Sequence, residues 1–440
     1  MVERASWRRG TARLGLRALG RLGGLPLLAR PGVRSRVSRL LGGASTGVVD
    51  LALVTNRRFA NAPGPGAQRP VQLPPSRPLG FDLTPTPDQV ELTRAARDFA
   101  DEVLRPAGRA ADDARATPET LRYAAADLGL HLLGVPVEHG GIAEGPAAVT
   151  TCLVLEELAR GDLGLAAALL APGAVATVLA AYGSGGQQAA YLPALLGPEP
   201  APAALALQEP QPLFDALAPR TTARTDGGDL VLTGTKAMVP LIDSAELFIV
   251  SAEHEGEPRL VLVESGTPGL RAEDDPAMGV RAARTGRLVL DGARVPYENL
   301  LGTTDDHALV VARSRLAWSA AAVGVGRAVL DQVIPYVKER EAFGEPIAHR
   351  QSVAFLIADL ALELDGLRLV VWKAAARLDA GQDATALVGQ ARSLTARHGV
   401  AMGSAGVQLL GGHGFVKEWD NERWYRDLRG TGLLEGGILA

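Results

Sequence analysis

Near the end of this 440-residue chain a single carboxylate stands in an apolar run and is followed by two glycines: Leu434-Glu435-Gly436-Gly437. Apolar surroundings make a carboxyl group hold its proton more tightly than water does, which brings it toward the range of a base working near neutral pH. Upstream, Gln408-Leu409-Leu410-Gly411-Gly412-His413-Gly414-Phe415 reads as a glycine-rich turn. Such a turn lets backbone N–H groups come close to a phosphate. By residue type alone, Glu435 is equally a solvated carboxylate at a frayed end, and the glycines equally a turn that needs positive φ.

The elements that must position these residues are legible from periodicity. Leu92, Ala95, Ala96, Phe99 and Val103 recur at helical spacing, and Pro106 is expected to stop that run. Further helices are expected over 118–129, 145–160 and 164–181. Between 203 and 300 the period shortens to strand-like runs, Leu230-Val231-Leu232, Leu247-Phe248-Ile249-Val250, Leu260-Val261-Leu262-Val263 and Leu288-Val289-Leu290. Beyond 306 long helices return, notably through Val353, Leu356, Ile357, Leu360, Leu364, Leu367 and Val371 ahead of Gly381. The chain is therefore expected to be mainly α with an inserted β domain. Its expected parts are an Arg-rich extension and proline-rich linker (1–80), an N-terminal α-helical domain (81–202), a middle β domain (203–305) and a C-terminal helical-bundle domain (306–440). No strand leads into GxGxxG, and helices and strands are segregated, so a doubly wound nucleotide-binding sheet is excluded.

Composition narrows the function classes. Apolar residues make up 47% of the chain but aromatics only 4%, so helices should pack closely through Ala and Leu. A net charge of −4 leaves no electrostatic footprint for nucleic acid, and no zinc-ligand spacing restores that reading. The single cysteine, Cys152, excludes an intrachain disulfide and is expected to fill a core beside Val149, Leu153 and Leu155. No uninterrupted apolar run of membrane-spanning length is expected. The first sixty residues carry Arg at 4, 8, 9, 13, 17, 21, 30, 34, 36 and 39 against one acid, Glu3, before Asp50. Arg9, Arg13, Arg17 and Arg21 would share one helical face, a pattern common to transit peptides, helices lying on anionic membranes and solvated or subunit-docking arms. Heavy use of Arg, Ala, Gly and Pro points to a GC-rich bacterial coding sequence. The expected location is a bacterial cytoplasm, with peripheral membrane contact through the arm; the mitochondrial matrix is the alternative.

Five further strings occur in order: Gly134-Val135-Pro136-Val137-Glu138-His139-Gly140-Gly141, Leu155-Glu156-Glu157-Leu158-Ala159-Arg160-Gly161-Asp162, Met278-Gly279-Val280-Arg281-Ala282, Arg294-Val295-Pro296-Tyr297-Glu298-Asn299-Leu300-Leu301-Gly302 and Arg340-Glu341-Ala342-Phe343-Gly344-Glu345-Pro346-Ile347. With them the chain resembles the acyl-CoA dehydrogenase family across roughly 85–440. The resemblance implies an N-terminal helical domain, a middle β-barrel or sandwich and a C-terminal four-helix bundle. It also implies a homodimer or homotetramer whose FAD sites straddle subunits. The implied reaction is α,β-dehydrogenation of an acyl-CoA thioester to a trans-2-enoyl-CoA, with electrons passed to an electron-transfer flavoprotein.

Residue by residue, the resemblance makes Glu435, nine positions beyond Arg426, the base. Arg340 and Phe343, read as sharing one face of a helix end, match the positions that pair with the FAD pyrophosphate and pack on the cofactor. Gln351 matches the contact to the adenine side. Gln408, Gly411, Gly412 and Gly414 match the turn that receives the pyrophosphate of the neighbouring subunit's FAD. Arg315 matches the position that helps hold the thioester or CoA end of the substrate, and the residue before it, Ser314, cannot serve as the base that some relatives carry there. Departures gather at the flavin ring. Thr-Glu-Pro and a small turn ending in Asp are replaced by Gln208-Glu209-Pro210 and the bulkier run to Asp215, and the aromatic-Ile-Thr segment by Met238-Val239-Pro240. Pro240 has neither hydroxyl nor N–H to offer the flavin. These departures leave an alternative: a non-catalytic or half-site partner subunit of a heteromeric complex with a paralogue.

Overall fold

The computed structural model describes residues 83–440. The Arg-rich arm and proline-rich linker (1–80) lie outside the described residues. Helix α1 (Pro87–Phe99) starts at Thr86, whose hydroxyl accepts from the Gln89 N–H while the Gln89 side chain accepts from the Thr86 N–H. This capping box satisfies two donors left over at a helix start, and Pro87 sits where a missing N–H costs nothing. Pro106 does not stop the run as expected. A π-turn (Ala100–Leu104) carries α1 into α2 (Arg105–Ala114), so the proline falls in the first turn of a new segment, where it needs no intrahelical donor. Helices α3 (Glu119–Asp127), α4 (Ala148–Gly161), α5 (Leu163–Tyr182) and α6 (Gly185–Leu196) complete this part. Cys152 is fully buried in α4.

The expectation about apolar runs is corrected by α5. An 18-residue stretch of it has a mean hydropathy of 2.0, enough by length and composition to cross a membrane, and that stretch is wholly buried against the rest of the protein. A helix apolar on every side can be solvated by a protein core as well as by lipid. Asp162 caps it by accepting from the Leu165 N–H at 2.8 Å.

The four expected strand runs fall in β3 (Asp229–Val239), β4 (Leu247–His254), β5 (Glu257–Glu264) and β7 (Gly286–Pro296). With β1 (Ala203–Ala206), β2 (Thr222–Asp226), β6 (Leu270–Asp274) and β8 (Leu300–Leu301) they make one eight-stranded sheet, ordered β6-β7-β3-β2-β4-β5-β8 with β1 parallel to β4. The long β3–β7 ladder breaks register between Lys236 and Val239, where Met238 takes a left-handed φ of 54°. That irregularity leaves Ala237 and Met238 out of the regular pairing, and Val239 rejoins it opposite Gly286.

Four helices follow: α7 (Thr304–Glu339), α8 (Gln351–Asp379), α9 (Thr385–Leu409) and α10 (Asn421–Thr431). Helix α7 forms the floor of the core, and small residues let α4 come close to it. A Cβ at Gly324 would stand 2.1 Å from the Glu156 carbonyl oxygen, so this position accepts only glycine without moving a helix. Beyond α10, Gly436 and Gly437 take φ of 76° and 77°. These left-handed values turn the chain inward, and Ile438 and Ala440 are fully buried.

Candidate active site

Glu435 is only 4% exposed and is met from two helices. From α7, Arg315 brings Nε to 3.0 Å from Oε1 and 3.2 Å from Oε2, and Nη2 to 2.9 Å from Oε1. From α9, Arg392 brings Nη2 to 2.8 Å from Oε1. The Glu435 N–H donates to the Gln208 amide oxygen at 3.2 Å, and Asp215 lies 3.6 Å from Arg315. Burial pushes the Glu435 carboxyl above its ordinary range, opposed by the bonds from Arg315 and the charges of Arg392 and Arg315. Glu435, Arg315, Gln208 and Asp215 come together here. Met238 joins them at one remove: it lines a void of about 10 Å³ with Pro240, Trp318, Leu434 and Gly437.

A second site is built at the far end of the helical bundle. A cavity of about 570 Å³ is lined by Arg340, Phe343, Arg350, Ser352, Gln408, Gly411 and Gly412, among others. Helix α7 ends at Glu339, so Arg340 is its C-cap and not part of a helical face. Phe343 sits in a two-residue hairpin between β9 (Glu341–Ala342) and β10 (Glu345–Pro346). The expected helical pairing of Arg340 with Phe343 is thereby corrected, because Phe343 at φ 58° and Gly344 at φ 85° are left-handed. A bulky residue in that region is strained, and here the turn presents the ring almost fully to solvent. The Arg350 guanidinium lies 5.2 Å from the ring centre. Gln351 opens α8 beside the cavity but is exposed and does not line it. Gly414 is buried and packs on the Val407 carbonyl, where a Cβ would stand 2.2 Å away. It supports the turn from behind.

Sequence profiles of the acyl-CoA dehydrogenase N-terminal, middle and C-terminal domains match residues 86–199, 204–293 and 308–437. The chain belongs to the acyl-CoA dehydrogenase family. It is 30% identical over 356 residues to the mitochondrial short-chain specific acyl-CoA dehydrogenase of Rattus norvegicus, a match spanning 78% of this chain and 86% of that protein. It is 31% identical over 373 residues to the acryloyl-CoA reductase (NADH) of Anaerotignum propionicum, spanning 81% and 93%. Among solved structures, a glutaryl-CoA dehydrogenase from Mycobacterium smegmatis in complex with FADH2 is similar with a TM-score of 0.72 at 26% identity, over 79% of this chain and 90% of that one.

The described residues fit the two halves of an acyl-CoA dehydrogenase cofactor differently. The cavity at Arg340 has the volume, the two guanidinium groups and the left-handed Gly411 that a pyrophosphate and its nucleoside require. The segment where the family holds the flavin ring is closed by the chain itself. Trp318 Nε1 donates to the Gly436 carbonyl at 2.9 Å, the Gly436 N–H donates to Ser314 Oγ at 2.7 Å, and the Gly437 N–H donates to the Leu205 carbonyl at 3.2 Å. A Cβ on Gly437 would stand 3.5 Å from Pro240 Cγ. The void between these segments is about 10 Å³, too small for a ring as the described residues stand.

Three site residues were not singled out from the sequence as parts of the site. Arg392 and Trp318 lie inside helices with no local motif, and Ser314, which cannot act as a base, holds Gly436. Glu209 also proves to be structural. Its carboxylate accepts from Lys236 Nζ at 2.7 Å, from the backbone N–H groups of Arg220 and Thr221, and from the Gln211 side-chain amide Nε2. That set ties down the loop between β1 and β2, which carries Gln208 and Asp215.

Proposed function

We propose that this protein dehydrogenates an acyl-CoA thioester between its α and β carbons, with FAD as the cofactor. The observation that carries this reading is the convergence of Glu435, Arg315, Gln208 and Asp215, which are scattered through the sequence, beside the Met238–Pro240 segment. FAD supplies a two-electron hydride acceptor. The chain's part is to remove the α-proton: the α C–H bond breaks, the proton passes to Glu435, and its electron pair forms the new C=C bond. The β-hydrogen leaves with its pair as hydride. Arg315 helps hold the thioester end, the product is a trans-2-enoyl-CoA, and the two electrons removed from the substrate as hydride would pass by way of FAD to an electron-transfer flavoprotein.

The cavity lined by Arg340, Phe343, Gln408, Gly411 and Gly412 is assigned to the pyrophosphate and adenosine half of FAD. It has no lining residue in common with the void at Met238. A homo-oligomer, a dimer or tetramer, follows from this reading, with each chain lending that cavity to its neighbour's flavin. This reading puts the protein in a bacterial cytoplasm with membrane contact through residues 1–60, and loss of anionic-liposome binding on removing 1–60 tests that contact.

A second reading is favoured by one observation, the closing of the ring segment by Gly436 and Gly437 against Trp318 and Pro240. On that reading the chain is a half-site subunit that lends its Arg340 cavity to a paralogue. The visible spectrum of the purified full-length protein separates the two. A yellow homo-oligomer bleached by butyryl-, octanoyl- or palmitoyl-CoA supports the dehydrogenase; a colourless one that stays colourless after FAD addition, and turns yellow only with a co-expressed paralogue, supports the half-site.

A further inference from the structure

Arg392 projects from α9 and joins three acceptors on consecutive residues. Its Nη2 donates to the Leu433 carbonyl at 3.1 Å, its Nη1 donates to the Leu434 carbonyl at 3.1 Å, and Nη2 lies 2.8 Å from Glu435 Oε1. A planar guanidinium can bridge acceptors in this way because its donors are fixed in a fork; an ammonium has no such spread. Arg315 adds two further nitrogens to Oε1 and one, at 3.2 Å, to Oε2. The two carboxylate oxygens are therefore unequal. Oε1 has three nitrogen contacts, whereas Oε2 has one and retains lone-pair capacity.

We infer that Arg392 is a positioning residue for the base: it locks Glu435 through Oε1 and the two preceding carbonyls, so that Oε2 is the oxygen presented to the substrate α-proton. This rests on Glu435 being the base, as proposed above. The reaction balances as before, with the proton from the broken α C–H bond now assigned to Oε2. The groups that set the charge around Glu435 are Arg315 on α7, Arg392 on α9 and Asp215 in the loop between β1 and β2; Gln208 is neutral. Burial and Asp215 favour the protonated acid, and the two guanidinium groups oppose them. Loss of Arg392 thus has two consequences. The carboxylate gains rotational freedom, and it protonates at higher pH, so activity falls away earlier on the acid side.

The test uses the flavin-loaded full-length protein with butyryl-, octanoyl- and palmitoyl-CoA and an artificial dye as acceptor. Arg392→Gln is expected to keep its FAD and lower kcat/KM by roughly 10- to 100-fold, the loss typical of a misplaced reacting group. Its acid limb should move up by about one pH unit, as expected when one neighbouring charge is removed. Arg392→Lys should bring the acid limb back toward wild type while recovering only part of kcat/KM, and it serves as the working variant if the Gln protein does not fold. The carboxylate stretch of Glu435, isolated as the infrared difference between wild type and Glu435→Gln, gives its titration without turnover. Its midpoint should rise in Arg392→Gln. A wild-type acid limb and midpoint in the Gln variant, or wild-type kcat/KM in the Lys variant, overturns the inference. Retained bleaching by acyl-CoA in Glu435→Gln overturns the underlying assignment of the base, whereas lost bleaching there with wild-type kinetics in Arg392→Gln sinks the positioning role alone.

Discussion

Glu435 and Glu209 show how the same side chain takes opposite roles through its partners. Burial pushes both upward, but at Glu209 the charge and bond of Lys236, with the Thr221 N–H and the Gln211 amide, outweigh burial and hold the carboxyl at about 2. Glu435 stays above its ordinary value because burial exceeds what two guanidinium groups return. The first is locked as an anion and can only hold structure; the second can exchange a proton. Glu209→Gln should therefore act on stability first. It leaves Lys236, which is fully buried, without its counter-charge, and breaking one side of a buried pair typically costs about 3–5 kcal/mol. Chemical denaturation with and without the substitution measures this; a change below about 1 kcal/mol would show that Lys236 finds another partner or a neutral form at little cost. Because Gln208, whose amide oxygen accepts from the Glu435 N–H, directly precedes Glu209 in that loop, the folded protein should also have a weakened grip on the Glu435 backbone.

At the scale of elements, the turn after α10 determines what can enter the site. Two left-handed glycines drive residues 436–440 between α7 and the sheet, where Ile438 and Ala440 are buried. The Gly436 and Gly437 N–H groups are held by Ser314 and Leu205, and the Ala440 N–H by the Arg313 carbonyl at 3.2 Å. Buried, bonded amides exchange slowly. If a flavin ring takes this segment's place, hydrogen exchange at Gly436, Gly437 and Ala440 should accelerate by an order of magnitude or more on FAD binding, following the loss of about one to two hydrogen bonds' worth of protection. Equal exchange in apo and FAD-saturated protein would mean that the ring sits elsewhere.

At the scale of the whole molecule, buried carboxylates between the helices set the response to pH. Glu157 is pushed up by burial but held at about 2 by bonds from Arg97 and Arg327 and by their charges. A lowered folded value means stability that is present above the unfolded value of about 4.3 and lost as pH falls toward 2. Glu156 works in the other direction. It is raised to about 7, chiefly by burial, against the charge of Arg368 and the bonds from Trp372 and Arg368. A raised folded value means stability that is present below about 4.3 and lost as pH rises through 7. Melting temperature between pH 3 and 8 should therefore fall on both sides of a mildly acidic maximum. Glu157→Gln should lower the maximum and flatten the acid side, and Glu156→Gln should flatten the side toward neutral. Unchanged pH dependence in both variants would assign the effect to other groups.

The sequence by itself determined the order of helices, sheet and helices, because apolar periods of helix and strand are written locally. It also singled out Glu435, the Gln408–Gly414 turn and the Arg340–Phe343 segment, each carried by a short string. Periodicity did not reveal that Pro106 opens a helix or that Phe343 stands on a left-handed turn, since both depend on backbone geometry that residue type only permits. Arg392 was illegible for a different reason: a helical arginine has no sequence mark that says which distant carboxylate it will meet. Only the tertiary structure brought α7, α9 and the turn after α10 together around Glu435, because burial of that carboxylate is the sum of contacts from segments far apart in the chain.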